Sequence, residues 1–110
     1  MGEEREVSED ELFDDVYNFD HTIAEWMLPR LKFFMTRTDS TPAKLDENGQ
    51  RMKDEDGEFM FLEMEEWQKI LQDMVDGFEQ YVKDDYAIKD QSKVKRALEL
   101  FSQYFFDLWL

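Results

Sequence analysis

"MEEWQKILQDMVDGFEQYV", Met64 to Val82, is the stretch on which the fold turns. Met64, Trp67, Ile70, Leu71, Met74, Val75, Phe78 and Val82 recur at steps of three and four. At 3.6 residues per turn, that spacing gathers them on one face of a helix. Glu66, Lys69, Asp73, Asp76 and Lys83 fall on the other. The pattern predicts an amphipathic helix over residues 63–84. Such a stripe is stable only against other apolar faces, so the flanking sequence has to supply them.

Both flanks do. From Ser92 onward, Val94, Ala97, Leu98, Phe101, Phe105 and Leu108 predict a helix over 92–109. Upstream, Asn18 or Asp20 caps a helix over 20–37 whose inward stripe is Ile23, Met27, Leu31 and Phe34, widened by Trp26 and Leu28. Pro29 lies inside it. Proline removes one donor and crowds the Glu25 carbonyl, which predicts a kink near Glu25. Still earlier, Ser8 and Glu11 fit a capping box. Leu12, Phe13, Val16 and Tyr17 then predict a short helix or single turn, docked by Phe13 and Tyr17.

The expected fold is therefore all-α, one domain over 1–110: a compact bundle of three main helices plus a short N-terminal helix. Residues 1–10 read as an acidic tail. Residues 38–62 form an acidic insertion, either a long loop or a small hairpin, since Asn48-Gly49 and Asp56-Gly57 are turn dipeptides and Thr41-Pro42 favours extended backbone. "EFMFL" (Glu58 to Leu62) supplies one short strand or tucks Phe59 and Phe61 onto the core. No internal repeat stands out.

Charge bounds the function. The 110 residues hold 28 Asp plus Glu against 13 Lys plus Arg, a formal net charge of −15. Such a chain is repelled by nucleic-acid phosphates and anionic lipid, so direct nucleic-acid binding and membrane binding are not expected. Its favoured partners are proteins with basic surfaces, or cations. The absence of cysteine excludes disulfides, thiolate catalysis and Cys-ligated metal. The charged start "MGEEREVSEDE" carries no secretory signal, and no apolar run approaches the roughly 18 residues of a membrane span.

Catalytic constellations are weak. The one histidine, His21, opens a helix and has no second His to build a metal or triad site. Glu63-x-x-Glu66 matches half of the paired-carboxylate magnesium motif of all-α nucleotide pyrophosphohydrolases; the later half is missing. Met52 to Glu63 follows an EF-hand loop at Asp54, Asp56, Gly57 and Glu63 but opens on Met52, where the first ligand belongs. The reading is a non-enzyme without cofactor or metal.

Two binding features remain. Arg30 is expected on the inward face, four residues from both Trp26 and Phe34; it stacks, pairs with Asp15 or Asp20, or binds an anion. With Lys32, Trp26, Tyr17 and Asp20 it outlines a candidate pocket for a nucleotide-like ligand. At the C-terminus, Phe106, Trp109 and Leu110 sit at i, i+3 and i+4, rotated off the core stripe. They either pack under the insertion or form a contact surface, for a partner or between two copies in a homodimer. Lys89, Lys93, Lys95 and Arg96 cluster at the start of the last helix and are expected to answer acidic faces nearby.

With these motifs placed, the chain resembles a group of small proteins encoded by tailed bacteriophages and prophages. Their pattern reads "DVWNLD", then "PRLK", then "EEWDEILDKMI.AFE", and closes like "GLELFGKYFLSLWW". The matching stretches are Asp15 to Asp20, Pro29 to Lys32, Glu65 to Glu79 and Ala97 to Leu110. The chain departs at Tyr17, where the pattern has tryptophan, and in its longer insertion. The resemblance implies a phage protein acting in the host cytoplasm and brings no catalytic residues. In that context three roles follow: an acidic, DNA-mimic-like inhibitor or modulator of a host or defence protein; a nucleotide-sequestering protein using Arg30 and Lys32; or a structural or packaging accessory.

Overall fold

The structure, a computed structural model, describes residues 7–84 and 90–110. Most of the expected acidic tail, residues 1–6, lies outside the described residues. The chain is mainly helical: α1 (Glu9–Tyr17), α2 (Phe19–Arg37), α3 (Met64–Asp84) and α4 (Ser92–Tyr104), followed by a 3₁₀ turn, Phe105–Asp107. α3 is the hub, with α2 and α4 each packed along it. Its buried residues Trp67, Leu71, Met74, Val75 and Phe78 follow the expected period. Trp67 meets Phe34 of α2 edge-on and Tyr104 of α4 at a tilt, at ring separations of 6.5 and 5.5 Å.

Local caps explain where the helices start. The Ser8 hydroxyl accepts the Glu11 N–H at 3.2 Å, half of the expected capping box. Glu66 reaches back to accept the Glu63 N–H at 2.9 Å. Asp90 accepts the Ser92 N–H at 2.9 Å, which holds its carboxyl below the usual range. α3 and α4 are in tight contact at Gly77. A methyl group there would lie 2.4 Å from the Ala97 Cβ and 2.4 Å from the Lys93 carbonyl oxygen.

Four expectations need correction. α1 forms, but no residue of it is buried, and Phe13 and Tyr17 are exposed rather than docked. Only Asn18 separates α1 from α2, too short a link for α1 to fold back on its neighbour. α2 runs unbroken through Pro29, and Met27, Leu31 and Phe34 of its expected stripe pack on the core with Ala24, Leu28 and Met35, whereas Ile23 and Trp26 are exposed. α4 buries Val94, Ala97, Leu100 and Tyr104, whereas Leu98 and Phe105 are exposed. α2 and α4 are thus each apolar on two faces, and α3 covers only one of them. Finally, α4 ends at Tyr104, short of 109, and the chain tightens to 3₁₀ with the Leu108 N–H on the Phe105 carbonyl. A turn that is apolar all round finds α3 on one side only.

The insertion is built, and it contains a repeat that the sequence reading missed. Asp46-Glu47-Asn48-Gly49-Gln50 and Asp54-Glu55-Asp56-Gly57-Glu58 fold alike. In each, the Asp carboxylate accepts the N–H groups two and four residues on, at 2.8–3.0 Å. In each, the glycine takes positive φ, +77° at Gly49 and +80° at Gly57. Three residues spaced eight apart close the junction: Lys44 N–H to the Met60 carbonyl, Met52 N–H to Lys44, and Met60 N–H to Met52, at 2.7–3.0 Å. The result is a cloverleaf of two acidic tight turns on a short antiparallel stem, in which Ala43 faces Phe61. Among the described residues only isolated bridges of this kind occur, and no strand. Leu45 and Leu62 rest on the helical core, while Phe59 and Phe61 are exposed.

Candidate interaction surface

The residues singled out for a ligand pocket are not brought together. Arg30 is exposed; its guanidinium stacks 4.1 Å from the Trp26 ring and donates to the Trp26 carbonyl at 2.7 Å. Lys32, about 200° further round the helix, meets Glu79 of α3 at 3.2 Å. Tyr17 is 86% exposed. Asp20 accepts a hydrogen bond from the Tyr81 hydroxyl and another from the His21 backbone, and these hold its carboxyl below the usual range. Tyr81 escaped the sequence reading, although its place one turn beyond Phe78 on the α3 stripe was a usable signal. His21 is half-buried: its Nδ1 lies 3.1 Å from Glu25 and its Nε2 3.4 Å from the Val82 carbonyl, tying the start of α2 to the end of α3.

What the helices do create is an open groove between α2 and α4. Three adjoining hollows of about 310, 440 and 280 Å³ all share Met27 and Phe101 and merge into one trough. Ile23, Trp26 and Leu98 form its apolar walls. Polar groups stand at its ends, Asp15 and Asp20 at one and Arg30 at the other. The groove follows from the second apolar faces of α2 and α4, which α3 leaves uncovered.

Around it lies the acidic surface. No charged side chain is buried among the described residues. The ion pairs there use Lys32, Lys69, Arg96 and His21, leaving most carboxylates facing water. Lys93 and Arg96 border Asp73 and Asp76 of α3, whereas Lys89 lies outside the described residues. Burial raises the pKa of Asp107, and Arg51 on the cloverleaf lowers it again in part. Phe106, Trp109 and Leu110 are exposed, at 81%, 65% and 68%. They do not pack under the insertion, and the helical spacing that would align them on one face is lost after Tyr104.

Among the described residues, no three His, Asp or Glu side chains gather as a metal-holding group, and no helix is long and apolar enough to cross a membrane. Comparison with protein-family models, curated proteins and solved structures finds no match. The fold and surface define a helical protein with an acidic exterior and an uncovered apolar groove.

Proposed function

We infer that this is a non-enzymatic phage-type binding protein, an acidic inhibitor or modulator that occupies the basic surface of a host or defence protein. The observation that carries the reading is the disposition of charge: an excess of 15 carboxylates on a chain that buries none of its described charged groups. A carboxylate surface of this density competes for sites that otherwise hold phosphates, which on duplex DNA recur roughly every 1.7 Å. The cloverleaf presents Glu47, Glu55, Asp56 and Glu58 on its turns, all exposed. Phe106, Trp109 and Leu110 are exposed too and offer a partner apolar side chains to bury.

The test is competition. The protein is titrated into complexes of duplex DNA with a panel of bacterial nucleases and repressors, and the released DNA is followed. Displacement from at least one complex at low salt is expected. Failure against the whole panel, together with tight binding of nucleotides by the same preparation, would replace this reading with nucleotide sequestration through Arg30.

A further inference from the structure

The geometry points to a second copy of this chain as the occupant of the α2–α4 groove, with α1 of each copy lying in the groove of the other. α1 is a helix without a cover. Leu12, Phe13, Val16 and Tyr17 gather on one side of it and all are exposed. A helix of nine residues is too short to be stable in water on its own, where about 12–15 residues are marginal. It therefore needs its apolar face covered, and its own chain cannot do so across the single linking residue Asn18.

The groove is the matching surface. From Asp20 to Arg30 it runs along ten residues of α2, about 15 Å, and α1 is about 14 Å long. Its walls lack an apolar cover just as α1 does. Seating α1 there completes a four-helix arrangement of α1′, α2, α3 and α4, the usual way in which helices apolar on two faces are buried. The exchange is self-complementary, so a two-fold axis satisfies both grooves at once. The exposed large apolar side chains of α1 and the groove offer on the order of 1,000 Å² per copy, against about 800 Å² per partner in a standard interface. Charge does not drive the contact: α1 carries Glu9, Asp10, Glu11, Asp14 and Asp15, and the groove rims carry Arg30 and Lys95 but also Asp15, Asp20 and Glu99, so the apolar faces have to hold it.

This inference is independent of the inhibitor reading and is tested without any partner. Sedimentation of the full chain across a concentration series is expected to show a monomer–dimer equilibrium. Phe13→Ser/Val16→Ser (α1) and Trp26→Ser/Leu98→Ser (groove) each alter exposed residues, and each is expected to weaken the dimer about tenfold or more. Mixed in equal amounts, the two variants regain one intact α1–groove contact and associate with each other more tightly than either does with itself. Hydrogen exchange of the wild type supplies a readout that needs no variant: α1 amides gain protection as concentration rises through the dimerisation range. A wild type that stays monomeric at high concentration overturns the proposal. So does a dimer in which α1 remains unprotected, or one whose two variants fail to complement, which would mark a groove-on-groove contact.

Discussion

Gly77 shows how much rests on one absent methyl group. Gly77→Ala places a Cβ 2.4 Å from both the Ala97 Cβ and the Lys93 carbonyl oxygen, and one of those atoms is backbone, so α4 itself has to move. Overpacking of this kind costs about 1–3 kcal/mol, which outweighs the gain of up to about 1 kcal/mol from replacing glycine within a helix. Urea denaturation should therefore show Gly77→Ala destabilised, and Gly77→Ala/Ala97→Gly recovering only the part owed to the Ala97 Cβ, because the Lys93 carbonyl still stands in the way. Strict additivity of the two changes would mean that they do not share the crossing. Asp20 offers a second measurement. Its carboxyl is held low chiefly by the Tyr81 hydroxyl, so the folded state favours the ionised form. That contribution is present above the ordinary carboxyl range and disappears as pH falls through the folded value. The stability difference between wild type and Asp20→Asn should be seen at neutral pH and vanish in acid; a difference that persists in acid would assign it to packing.

Among the elements, the cloverleaf depends on two backbone conformations. Gly57 sits at φ +80°, and a Cβ added there would meet nothing within 4 Å, so replacing it costs conformational strain and no clash. Gly57→Ala should lose roughly 1 kcal/mol, with faster hydrogen exchange at the Gly57 and Glu58 amides, which the turn holds, and unchanged exchange in α3. The elements also show what the sequence could reveal. The α3 stripe was legible because a helix packed on two sides repeats at 3.6 whichever neighbour it meets. The Ser8 cap and the turn glycines were legible because their chemistry is local. The inward faces of α2 and α4 were misread at their edges, at Ile23, Trp26, Leu98 and Phe105, because each helix is apolar over two faces and periodicity cannot say where a neighbour's cover ends. Arg30 was placed inward for the same reason. The eight-residue repeat was hidden because its two copies share only Asp, Glu and Gly at corresponding places, and what unites them is a hydrogen-bond pattern. The groove was the least legible feature, since it is defined by the absence of a packed α2–α4 contact.

At the scale of the whole molecule, two kinds of association should respond to salt in opposite directions. The radius of gyration is 17.0 Å, against about 13 Å for a close-packed chain of this length. That excess accompanies a helix, α1, that buries none of its residues and an insertion that reaches outward. Two copies joined through α1 and the groove bring together like net charges of −15 each, so their long-range interaction is repulsive while the contact is apolar. Raising ionic strength shortens the Debye length from about 10 Å at 0.1 M to about 3 Å at 1 M. The repulsion is screened, the apolar contact is not, and the dimer should tighten. A basic partner bound through the carboxylate surface feels the reverse: screening removes the attraction, so association slows and affinity falls. Sedimentation and partner titration over the same salt series separate the two. Dimerisation that weakens with salt would show that Arg30 and Lys95, rather than the apolar faces, hold the copies together. Partner binding indifferent to salt would move the partner contact from the carboxylates to Phe106, Trp109 and Leu110.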